Sequence, residues 1–136
     1  MKFRRALKPL SEVRSSLGYA LVDRDTGPIV GAEAVSDGFD VDLAACGAIS
    51  LLKRKEEVLE MMGLDEVIER IVINVGGQHH IIQPVSSWDG LVIFFAIDAK
   101  QGHLEGAAER VTEVANDRAR WAFLGPQPPV RYAAAE

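Results

Sequence analysis

Histidines, a cysteine, serines and paired acids are the residues of this chain that could do chemistry, and few of them are usefully spaced. His79 and His80 are adjacent in an apolar stretch that reads as a strand. Successive strand side chains point to opposite faces, so these two imidazoles are not expected to chelate one ion. A small hydrolase or transferase could be built from His79 or His80 with Asp98, but no spacing implies a nucleophile held against its base. His103 is the only other histidine. Ser86-Ser87 falls in a turn with no matched base. Cys46 is the sole cysteine. At a helix start the dipole would lower its pKa, but it sits in the apolar run Leu43–Leu52, where a thiol behaves as a small buried hydrophobe. Glu56-Glu57 reads as a solvated, charged helix surface, and Trp88 and Trp121 as packing anchors. Neither GxxxxGK[ST] nor a GxGxxG between strand and helix occurs, so Gly63 and Gly76-Gly77 are not phosphate loops. No catalytic residue, metal site or cofactor is expected.

Composition narrows the partners. The chain has 136 residues and a net charge of −5, the size of one domain and a poor match to nucleic acid. The basic group Lys2, Arg4, Arg5 and Lys8 reads as the solvated face of an N-terminal helix. No apolar run reaches the roughly 20 residues of a membrane helix, and no secretory signal opens the chain. A lone cysteine excludes an intrachain disulfide, so a cytoplasmic protein is expected.

Two apolar segments dominate the organisation. Leu43-Ala44-Ala45-Cys46-Gly47-Ala48-Ile49-Ser50-Leu51-Leu52 has no polar side apart from Ser50. A helix apolar all round must be buried all round, and in so short a chain a second subunit is the simplest cover. Leu91-Val92-Ile93-Phe94-Phe95-Ala96-Ile97 reads as a strand covered on both faces. Around them the pattern predicts a helix over 3–16 interrupted by Pro9. A hairpin follows from strands 18–23 and 29–35, joined by the Arg24–Pro28 turn. A helix over about 41–62 is capped by Asp37 or Asp40 and stopped at Gly63. Strands 70–75 and 78–85 are joined by Gly76-Gly77; the apolar strand comes next, then a helix beginning at Leu104. The order α-β-β-α-β-β-β-α predicts a three-layer α/β/α sandwich: one five-stranded antiparallel sheet, helices on both faces, and the most apolar strand mid-sheet. Residues 1–123 form the domain, and a Pro-rich tail, 124–136, is expected to be mobile.

This order and spacing resemble the Roadblock/dynein light-chain family. The resemblance rests on Gly18-Tyr19-Ala20-Leu21-Val22-Asp23 with its Thr26-Gly27 turn, on Leu43-Ala44-Ala45 opening the central helix, on Gly76-Gly77 with the long apolar strand after Asp89-Gly90, and on the closing amphipathic helix. It covers about residues 10–122. It implies a profilin-like sheet with the central helix on one face and the terminal helices on the other. It also implies a homodimer that sets two central helices side by side and pairs edge strands. Ala44, Gly47, Ala48 and Leu51 would then form the helical interface, and Arg70, Val72 and Asn74 the strand interface. Bacterial members similar to this chain act as non-catalytic regulators or platforms of small Ras-like GTPases. Two departures stand out: a longer Asp23–Gly27 turn and the tail. A small-molecule sensor on a similar sandwich is the alternative reading; Phe94, Phe95 and Trp88 argue for a filled core instead.

Overall fold

A computed structural model describes residues 2–27 and 29–124, leaving the side chain of Lys2 aside. Pro28 of the first turn and the tail beyond 124 lie outside the described residues. The elements are α1 (Lys2–Ser11), β1 (Ser16–Asp23), β2 (Ile29–Ala34), α2 (Val41–Met61), β3 (Ile71–Val75), β4 (Gln78–Pro84), β5 (Leu91–Asp98), α3 (Leu104–Asn116) and a 3-10 helix over Arg118–Leu124. One sheet of order β2-β1-β5-β4-β3 runs through them, with every neighbouring pair antiparallel.

The apolar strand β5 lies in the middle, as its composition predicts. Its alternate residues feed two cores. Leu91, Ile93, Phe95 and Ile97 pack with α1, α3 and Trp121 on one face. Val92, Phe94 and Ala96 pack with α2 on the other. β1 divides in the same way, sending Tyr19 and Leu21 to the first core and Ala20 and Val22 to the second. A strand with two covered faces has no polar alternation left to show, so the three-layer sandwich follows directly.

The elements differ most from expectation in three places. α1 stops at Ser11, five residues short of the predicted end: Pro9 has no N–H to donate to the preceding turn. The Ser11 hydroxyl closes that end by donating to the Lys8 carbonyl at 2.6 Å. β1 starts two residues early, at Ser16, across an irregularity between Ser16 and Gly18. The 3-10 helix was not anticipated; it seats Trp121, whose Nε1 donates to the Val114 carbonyl at 3.1 Å. Of the two candidate caps for α2, Asp40 is the one used: its Oδ1 accepts from the Leu43 N–H at 3.1 Å. Gly76, with φ of 53°, makes the β3–β4 turn, a backbone region costly for other residues.

Two close approaches fix how the layers meet the sheet. A Cβ on Gly18 would lie 2.9 Å from a ring carbon of Phe39, the residue just before the cap of α2. A Cβ on Gly31 would run into the ring of Phe3, which ties α1 to β2. Both strands need glycine because an aromatic ring rests on their backbone.

Candidate functional site

The candidate catalytic side chains are dispersed. His79 and His80 face opposite sides of β4, as their adjacency predicts. His79 Nδ1 lies 2.6 Å from Asn74 Oδ1. His80 lies edge-on to Phe94 at 5.4 Å and to Phe39 at 6.2 Å, with Nε2 2.8 Å from Gln78 Oε1. Burial among these rings holds the His80 imidazole below its ordinary pKa. Asp98 instead closes its own turn, its Oδ1 accepting from the Lys100 N–H at 2.8 Å. His103 precedes α3 without capping it through its side chain. Ser86 donates to Asn116 Oδ1 at 2.6 Å and Ser87 to the Ala115 carbonyl at 3.0 Å, so this pair ties the β4–β5 turn to the end of α3. Trp88 packs against the first core.

Two expectations are corrected. Glu56 is not merely solvated: its carboxylate meets the Arg24 guanidinium at 2.7 Å, both side chains about four-fifths covered. Burial raises its pKa, and Arg24 opposes that rise. Cys46 is exposed rather than buried in this chain. Helical geometry explains it. Val41, Ala45, Ala48, Ile49 and Leu52 form the inward stripe of α2, and Cys46 lies on the other side, where Ser50 donates back to its carbonyl at 3.2 Å.

That outward side leaves apolar residues open to water. Leu43 is 71% exposed and Leu51 43% exposed. Gly47 lies between them, exposed, with nothing within 4 Å of the position a Cβ would take. The stripe carries on to Met61, also exposed. Its one charged member, Arg54, is held 3.0 Å from Glu57. A helix covering a sheet normally turns polar groups to water; from Leu43 to Leu51 only Ser50 is of that kind, beside Leu43, Cys46, Gly47 and Leu51.

The predicted interface residues fall on both sides of the sheet. Gly47 and Leu51 lie on the outward stripe, with Ala44 half-buried at its margin. Ala48 is 7% exposed and belongs to the core beneath α2; the 100° step per residue turns it inward while its neighbour Gly47 faces out. On β3, Val72 pairs with Ile81 of the first core and Asn74 with His79. The side chains of Val72 and Asn74, with Arg70 just before the strand, therefore face the α1/α3 side. Ile71 and Ile73 share the α2 side and pack against the second core. Ile71, Ile73 and the exposed Val75 share that side, as strand alternation predicts; the predicted interface leaves them out. Arg70 is held within its own chain, Nε donating to Gln83 Oε1 at 3.0 Å and Nη2 to Thr112 Oγ1 at 2.6 Å. β3 remains an edge strand.

No helix among the described residues is long and apolar enough to cross a membrane, and no group of acids, histidines and cysteines among them could hold a metal ion. No protein-family model matches the sequence, and no curated protein matches it. Solved structures do. A Roadblock/LC7 domain from Streptomyces avermitilis aligns with a TM-score of 0.70 at 10% identity, covering 90% of this chain and 98% of that one. The gliding protein MglB from Thermus thermophilus aligns with a TM-score of 0.72 at 13% identity, over 91% and 93%. MglB in a tetrameric arrangement aligns with a TM-score of 0.69 at 14% identity, over 88% of each chain. The chain has the Roadblock/LC7 fold.

Proposed function

We propose that this chain is a non-catalytic, homodimeric regulator or scaffold of a small Ras-like GTPase, working in the cytoplasm. The observation that carries self-association is the outward stripe of α2, where Leu43 and Leu51 are 71% and 43% exposed around the open surface of Gly47. Exposed apolar patches on soluble chains mark interfaces, and small residues let two helices approach closely. The edge of β3 offers unpaired backbone that a second copy can take up. The chain shares its fold with MglB, and the choice of a small GTPase as partner rests on the resemblance to the Roadblock family.

A protein of this kind acts by differential affinity. It shifts its partner between conformations only as far as it binds one nucleotide state more tightly than the other. The test is affinity capture from source-cell lysate with GDP and with a non-hydrolysable GTP analogue, followed by direct titration of any GTPase recovered. Retention of a small GTPase in one nucleotide state supports the reading. Absence of a GTPase from both captures removes it.

A further inference from the structure

We propose that the groove between α3 and the segment that enters β3, residues 67–70, is a docking site for a basic, amphipathic helix of another protein. On this side of the sheet α1 lies on β1 and β2, and α3 on β4 and β5. β3 has no such cover, and Val72 is 39% exposed there. Two depressions meet beside the start of this strand, between α3 and residues 67–70. One, of about 500 Å³, runs past Val67 and Pro84; the other, of about 430 Å³, runs past Ala108 and Glu109, and Arg70 and Thr112 line both. Helices pack roughly 8–10 Å apart, about two strand spacings, so a helix seated beside α3 lies over the start of β3 and its outer edge.

Charge names the occupant. Glu105, Glu109 and Glu113 stand along α3 at intervals of one turn and line the groove with Glu69 at its far end. Arg110 lies 3.8 Å from Glu113. Glu69, Glu105 and Glu109 make no ion pair among the described residues. Arg70, the cation in the groove, spends its Nε and Nη2 donors on Gln83 and Thr112. Apolar surface accompanies the acids: Val67 is 72% exposed. A helix with lysines toward α3 and aliphatic side chains toward Val67 and Val72 would satisfy both. One chain builds this groove, so the inference does not depend on the dimer or on a GTPase. Edge-to-edge strand pairing would leave it open, because it uses backbone groups and not the faces of the strand.

The probe is a fluorescein-labelled 14-residue leucine–lysine amphipathic peptide, with a leucine–glutamate peptide of the same pattern as control. Anisotropy should show binding of the lysine peptide alone, weakening as salt rises. The double variant Glu105→Lys/Glu109→Lys should bind at least about tenfold more weakly, while Glu57→Lys/Glu60→Lys on α2 should bind like the parent. Amide chemical-shift changes should cluster on residues 67–70 and α3. Equal binding by both double variants, binding of the glutamate peptide, no binding of the lysine peptide, or shifts centred elsewhere would each overturn the proposal.

Discussion

Substituting Gly47 by glutamate should separate the proposed dimer into folded monomers. The chain itself has room for the new side chain, since no heavy atom lies within 4 Å of the Cβ position. Replacing a mid-helix glycine also gains about 0.5–1 kcal/mol of helix propensity, so the monomer should melt no lower than the parent. The interface is another matter. With Leu43 71% and Leu51 43% exposed in the single chain, covering both is worth about 3 kcal/mol per copy, from the usual 1.5–3 kcal/mol per buried leucine. Symmetry doubles that to roughly 6 kcal/mol, of the same order as the ~4–15 kcal/mol lost in ordering two molecules, so the helical contact has little to spare. Two unpaired carboxylates forced into it should weaken dimerisation by at least roughly 100-fold, or ~2.7 kcal/mol. Sedimentation equilibrium across micromolar concentrations reads this directly, with thermal melts as the check on folding. Ala48→Glu is the contrast. Ala48 is 7% exposed and packed toward the sheet, so its glutamate should lower the melting temperature of the chain itself. A Gly47→Glu protein that stays dimeric with the parent's dissociation constant would refute the assignment of this face.

Two further perturbations probe the frame beneath that surface. Tyr19 donates to Glu33 Oε2 at 2.7 Å, and burial, then the Glu33 hydrogen bond and charge, pushes its pKa from 10.0 up to about 12. The folded chain thus keeps a proton that the unfolded chain loses, so this contribution is complete below pH 10 and fades between 10 and 12; urea titrations should show the decline, and Tyr19→Phe should flatten it. Gly18→Ala sets a methyl 2.9 Å from the Phe39 ring and should cost about 1–3 kcal/mol by overpacking, read as a lower urea midpoint with an unchanged slope.

How far the fold could be read from the sequence depended on how local each signal was. β5 declared its central place because a strand covered twice is apolar at every position, and Val92 and Ile93 indeed face different cores. The Gly76-Gly77 turn and the cap of α2 were legible because each depends on one or two residues. The end of α1 was only half legible: Pro9 marked a weakness, but where the chain left the helix was settled by the Ser11–Lys8 bond. That Ile71, Ile73 and Val75 share one face of β3 was legible from strand alternation; which layer that face meets was not. Ile71, Val72, Ile73, Asn74 and Val75 alternate only weakly in polarity, and a one-residue choice of parity exchanges the two faces. Arg70, Val72 and Asn74 are expected at the strand interface, and the pairing of Val72 with Ile81 puts their side chains on the α1/α3 side.

The two apolar segments looked alike in sequence, and the fold divides them. Every side chain of β5 from Leu91 to Ile97 is buried within one chain, so its lack of a polar face is fully explained by intramolecular packing. α2 is explained only on its inner half: Ala45, Ala48, Ile49 and Leu52 meet the sheet, while Leu43, Cys46 and Leu51 are left exposed. Folding alone does not account for leucine over lysine or glutamate at those outward positions, because either charged residue would suit an exposed helix at least as well. The proposed dimer rests on this outward half of α2, which packing within one chain leaves unexplained. A shallow stripe of leucine around glycine, whose Arg54 is held by Glu57 of the same helix, suits the self-association we propose.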